Sequence, residues 1–156
     1  NMKEKTCCFT GHRDINENAA RLKQNLKSVL TELIESGYLY FGVGGARGFD
    51  TIAAEVVLEL KNIYPKIKLI LVLPCSNQTI GWSDKDIKAF ERIKKKSDKI
   101  RLLSKTYYNG CMQARNRHLV DNSSVCICFK KRDFGGTAYT VRYATKQGLR
   151  IINLSP

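Results

Sequence analysis

Phe41-Gly42-Val43-Gly44-Gly45-Ala46-Arg47-Gly48-Phe49-Asp50 follows the β-favouring run Tyr38-Leu39-Tyr40-Phe41 and precedes Ile52, Ala53, Val56, Val57 and Leu60, apolar residues at helical spacing. The stretch reads as a strand, a glycine turn and the opening of a helix. Four glycines in seven residues (Gly42, Gly44, Gly45, Gly48) remove side chains that would hold a ligand off the main chain. Free N–H groups at a helix start favour an anion, and Arg47 adds a positive charge in the turn. Two strict phosphate-binding patterns fail. Arg47 stands where a dinucleotide fingerprint needs its third glycine, and no Gly-Lys-Ser/Thr follows.

The alternation extends in both directions. Further strands are expected at Thr6–Phe9, Lys66–Leu73 (halted by Pro74), Ile100–Leu103, Ser124–Phe129 and Arg150–Leu154. A first helix is expected from a capping box at Asp14-Ile15-Asn16-Glu17, through Ala19, Leu22, Leu26, Val29, Leu30, Leu33 and Ile34, to Gly37. The helix after the glycine turn should run to about Lys61. Ser83 should open a basic helix with Ile87, Phe90 and Ile93 inward; two more are expected at Met112–Val120 and from Gly135-Gly136 to Gly148. Strands alternating with helices, and continuously apolar strands, point to an α/β fold. The expectation is a single Rossmann-like open, mainly parallel sheet with helices on both faces, one domain over residues 2–156.

A chain of 156 residues, 43% hydrophobic and 26% charged, is long enough to bury one substantial core. The charged start Met2-Lys3-Glu4-Lys5 does not resemble a secretory signal, and Asn1 resembles an expression scar. No apolar run reaches the roughly 20 residues of a membrane helix, so a cytoplasmic protein with no membrane partner is expected. Six cysteines (Cys7, Cys8, Cys75, Cys111, Cys126, Cys128) include no Cys-x-x-Cys spacing, which favours small buried hydrophobes in reduced form over a metal site; no metal and no cofactor are expected. The net charge of +13 is the unusual bulk property. Between Lys85 and Lys105 nine Lys/Arg face three Asp/Glu, a surface that attracts polyanions or serves only as a solvated face.

In open parallel sheets ligands bind beyond the carboxyl ends of the strands. Three strands here end in small or glycine-rich turns, Thr10-Gly11-His12-Arg13, Gly44-Gly45-Ala46-Arg47-Gly48 and Phe134-Gly135-Gly136-Thr137, all on one edge of the expected sheet. They suggest a shared anion pocket. Arg115 falls on the inner stripe of its helix, beside Asn116, where a charge needs a partner, a ligand or an acid such as Asp121, unless its stem packs inward while its head reaches water. Asp50 can cap the second helix or accept ribose hydroxyls. His12 is a turn residue that could donate to phosphate when protonated.

These motifs, with Met112-Gln113-Ala114-Arg115-Asn116-Arg117 and Gly135-Gly136-Thr137-Ala138-Tyr139-Thr140, resemble the SLOG superfamily of Rossmann-like domains, especially its small YpsA/YspA-like branch. The superfamily includes DprA/Smf proteins, which bind single-stranded DNA, and LOG-type phosphoribohydrolases, which split a base from a nucleoside monophosphate. The resemblance implies a nucleotide or nucleotide-derived ligand, ADP-ribose-like or a nucleoside phosphate. Gly11, His12, Arg13, Gly44, Gly45, Arg47, Gly48, Asp50, Arg115, Asn116, Gly135, Gly136 and Thr137 would hold it, with Thr137 capping the last helix. Arg115 matches the LOG-type arginine and is the one catalytic candidate. Phe134 replaces that loop's Pro, and Arg142 stands where its catalytic Glu should be, reversing the sign of the charge expected to stabilise an oxocarbenium-like state. Glu55 or Asp50 would have to supply a carboxylate instead. Nucleotide binding, phosphoribohydrolase activity and single-stranded nucleic acid binding are the alternatives carried forward, with a homodimer as the family-level expectation.

Overall fold

The computed structural model describes residues 2–16 and 18–156. A 3-10 turn at Lys3–Lys5 leads into β1 (Thr6–Gly11), followed by α1 (Ala19–Glu35), β2 (Tyr40–Val43), α2 (Phe49–Lys61), β3 (Lys68–Leu73), α3 (Asp84–Lys96), β4 (Lys99–Leu102), α4 (Cys111–Asp121), β5 (Val125–Phe129), α5 (Gly136–Lys146) and β6 (Arg150–Asn153). The six strands form one sheet in the order β4-β3-β2-β1-β5-β6, and every pairing is parallel. The α/β, Rossmann-like expectation holds.

Parallel strands need crossovers, and the helices supply them on both faces. Alternate residues of β1, β3, β5 and β6 feed two cores. Cys7, Phe9, Ile127 and Phe129 face α1, α2 and α3, whereas Cys8, Cys126 and Cys128 face α4 and α5. All six cysteines are buried, and Cys7, Cys8, Cys126 and Cys128 pack within the two apolar cores, as their sequence context suggested. α1 buries Leu22, Leu26, Leu30 and Leu33, one stripe of a helix, each contributing about 2 kcal/mol by area.

Three expectations need correction. The capping box at Asp14–Glu17 includes Glu17, which lies outside the described residues. The cap of α1 is Asn18, whose Oδ1 accepts the Ala20 and Arg21 N–H groups at 3.0 and 3.2 Å, because the buried stripe begins only at Leu22. Burial of the strands on both faces fails at the two edges of the sheet: all four residues of β4 are exposed, and none of β6 is fully buried. β2 begins at Tyr40 rather than Tyr38, whose hydroxyl instead pairs with Ser124 at 2.8 Å.

Running β1 to β4 the chain steps one way across the sheet; β5 then returns to the other side of β1, with Gly11 beside Phe129. The order reverses between β1 and β5, and the loops leaving these two strands diverge there to open a crevice.

Candidate ligand site

The turns after β1, β2 and β5 lie side by side on the carboxyl edge of the sheet, because their strands are neighbours. Two adjoining crevices open over them. One, of about 340 Å³, is lined by Gly11, His12, Arg13, Arg132, Phe134 and the start of α5 at Gly135, Gly136 and Thr137. The other, of about 400 Å³, is lined by Arg13, Arg47, Gly48 and Thr51 among others. Arg13 and Asp14 border both.

The starts of α2 and α5 at this edge differ. At α2 the cap position is Gly48, in a left-handed conformation with φ +79°. A Cβ there would lie 2.1 Å from the Arg13 carbonyl oxygen, so only glycine lets the β1 turn cross this close. The crossing main chain uses the helix start: Phe49 N–H donates to the His12 carbonyl at 3.1 Å. The Asp50 carboxylate does not cap α2 as expected. It accepts the Ala46 N–H at 3.2 Å and so braces the glycine turn. At α5 nothing covers the end: among the described residues the N–H groups of Gly136, Thr137 and Ala138 have no partner, and no side chain caps the helix. Thr137 sits inside the first turn rather than at the cap.

Arg115 is 5% exposed and lies beneath the turn, outside both crevices. Its Nη1 donates to the Gly44 carbonyl and its Nε to Asn116 Oδ1 at 2.9 Å. A Cβ at Gly44 would sit 2.5 Å from Nη1, so this glycine is the hole the guanidinium occupies. The acid it answers is Asp50; Asp121 instead accepts the Tyr143 hydroxyl at 2.6 Å. Burial raises the Asp50 pKa from 3.8 to about 6 against the opposing pull of the Arg115 guanidinium and the Ala46 and Gly44 N–H groups. Gly45 packs on Phe90, Leu71 and Leu73, in the core rather than at the crevice.

His12 is buried, and its Nε2 accepts the Lys131 N–H at 2.9 Å, which puts the ring proton of the neutral form on Nδ1. Burial first, then Arg132, Lys131 and Lys130, lowers its pKa, so the neutral ring that accepts this bond is the favoured form. Arg47 stacks on the Trp82 ring, 4.8 Å from its centroid, and Trp82 in turn meets Phe90 edge-on. Arg47 Nε and Gln78 Oε1 are buried without a partner, while Gln78 Nε2 donates to the Gly45 carbonyl at 3.0 Å.

Of the carboxylates considered for a reaction, Glu55 pairs with Arg92 at 3.2 Å along a separate groove, and Asp50 is enclosed. Arg142 folds back to donate to the Asp133 carbonyl at 3.1 Å. Three contributors escaped the sequence reading: Arg132, which stacks on the 70% exposed Phe134 at 5.5 Å on the crevice lip, and Gln78 and Trp82, which reach in from the β3–α3 loop. The run Lys130-Lys131-Arg132 directly after the apolar β5 was the available signal for Arg132.

A glycine-turned crevice at the strand-order reversal of an all-parallel sheet defines a Rossmann-like α/β domain. The chain belongs to the YspA SLOG family, whose model matches residues 7–151. A UPF0398 protein of Brevibacillus brevis is 28% identical over 135 residues, covering 85% of this chain and 72% of that protein. Among solved structures, DNA processing protein A from Helicobacter pylori, described with a single-stranded DNA binding mode, superposes with TM-score 0.66 at 24% identity. The Streptococcus pneumoniae DprA superposes with TM-score 0.68 at 17%. Both matches cover 96% of this chain, which spans 65% and 50% of those longer chains.

Proposed function

We propose that this domain binds a nucleotide or nucleotide-derived ligand, ADP-ribose-like or a nucleoside phosphate, in the paired crevices over β1, β2 and β5, as a sensor or processing domain. The observation that carries the reading is the open start of α5. Three unpartnered N–H groups and the positive end of the helix dipole face a crevice bordered by the guanidinium groups of Arg13 and Arg132. A phosphate sits on the α5 start, a base stacks on Phe134, and a second phosphate or ribose extends past Arg13 towards Arg47. Arg115, Asn116, Asp50, Gly44 and Gly45 hold the turn from below, and His12 holds the β5–α5 loop.

Calorimetric titration with AMP, ADP and ADP-ribose tests this. Arg13→Ala should weaken binding about tenfold or more, the value of a charge-assisted hydrogen bond to phosphate. Absence of binding, or unchanged binding by Arg13→Ala, refutes it. A second reading, single-stranded DNA binding, draws on the DprA likeness and the +13 charge. Lys94–Lys96, the densest part of the basic run, end α3 about 18 Å from the helix start that borders the crevice. A strand engaging both would need several nucleotides, and its affinity would fall steeply with salt, whereas a mononucleotide's would fall little.

A further inference from the structure

The opposite face of the sheet carries a cavity that the loop site does not touch. α4 and α5 cover the β1, β5 and β6 side, and between α4 and the edge strand β4 about 300 Å³ remains open. Its floor is Tyr40 on β2 with Ile70 and Val72 on β3, and Leu119 of α4 forms a wall. Lys99 and Arg101 stand beside Ile70 and Val72 in register, so both project to this same face, and His118 meets them from across the cavity. Among the described residues no acidic side chain lines it.

Cations on an edge strand guard against unwanted strand pairing wherever they point, yet here both converge with an imidazole on an apolar hollow. The His118 pKa is lowered by burial first and then by Arg101 and, less, Lys99, against an opposing pull from Asp121 on its own helix. The volume lies at the small end of ligand pockets, which are mostly apolar with a few convergent polar groups.

We propose that this cavity is a second ligand site, for a small anion with an apolar body, an aromatic or branched-chain carboxylate. The carboxylate lies between Arg101 and His118, and the apolar body rests on Ile70, Val72 and Leu119. The site is independent of the loop crevice, and the chain's two histidines report the two places separately: His12 the crevice, His118 the cavity.

The test is an NMR titration of both imidazole rings with benzoate, using benzamide as the uncharged control. Benzoate should shift the His118 ring saturably and raise its pKa while leaving His12 unmoved. Benzamide should bind more weakly, and Arg101→Ala, at an exposed edge position, should lower benzoate affinity about tenfold. No saturable shift of His118, an equal response to benzamide, or full affinity in Arg101→Ala would overturn the proposal. A stable dimer in sedimentation with His118 unresponsive would also overturn it, since a second copy would then cover the cavity. AMP titrations that move His12 alone, or neither ring, leave this outcome separately readable.

Discussion

The α-carbon of Gly48 lies so close to the Arg13 carbonyl that a Cβ there would meet the oxygen at 2.1 Å. This crossing locks the turn after β1 to the turn after β2, two segments 35 residues apart, and makes them one wall of the crevice that Arg13 and Arg47 share. Gly48→Ala combines an unfavourable left-handed backbone (φ +79°) with a main-chain clash, and is expected to cost at least about 3 kcal/mol in urea unfolding. Gly148 is the control: its φ of +85° is similar but nothing lies within 4 Å, so Gly148→Ala should cost only about 1 to 2 kcal/mol.

Arg115 and Asp50 should behave as a unit. Arg115→Met leaves the Asp50 carboxylate enclosed without its cation and removes the support of the Gly44 carbonyl, a loss of about 3 to 5 kcal/mol. Adding Asp50→Asn should restore part of that stability, with a coupling above about 1 kcal/mol in a double-mutant cycle. Additive effects would mean that the two do not interact. Arg115→Ala is correspondingly a poor probe of ligand contact, since it disturbs the turn before any ligand arrives, and Arg13 is the better one.

Most of the architecture was readable because it rests on local signals. The α1 stripe from Leu22 to Leu33, the Ser83 cap that accepts the Asp86 N–H at 3.2 Å, and the strands from β1 to β5 all announce themselves by period and capping chemistry. What escaped depends on partners distant in sequence. Asp50 looked like a cap because it opens an apolar periodic run, but the Gly48 conformation starts α2 earlier and turns the carboxylate onto Ala46. Arg115 had an acid at hand in Asp121, six residues on, and took one 65 residues back instead. The exposure of β4 follows from its edge position, which no apolar count of Ile100, Leu102 and Leu103 encodes.

His12 should couple acidity to the β5–α5 loop. Its folded pKa is depressed below the ordinary 6.5, so the stability it contributes is present above about 6.5 and is lost as pH falls through the folded value. Protonating Nε2 turns an acceptor into a donor facing the Lys131 N–H, and the bond must break. The protection factor of the Lys131 amide, corrected for intrinsic exchange, should fall as pH drops through that value, and about fivefold at neutral pH in His12→Ala, the equivalent of about 1 kcal/mol. Protection independent of pH in the wild-type protein would show that the ring does not hold the loop.

Asp50 predicts the opposite slope. A carboxyl whose pKa rises from 3.8 to about 6 on folding binds its proton more tightly in the folded chain than in the unfolded one. Its contribution to stability is therefore complete below the unfolded value and is lost as pH rises through about 6. Asp50→Asn removes this titration while leaving an amide oxygen to accept the Ala46 N–H. Whatever constant offset the substitution introduces, its stability relative to wild type should improve by about 2 to 3 kcal/mol between roughly pH 4 and pH 7, measured by urea unfolding at each pH. Parallel stability curves for the two proteins over that range would mean that the carboxyl ionises as freely in the folded chain as in water, and the enclosure of Asp50 beneath the glycine turn would have to be given up.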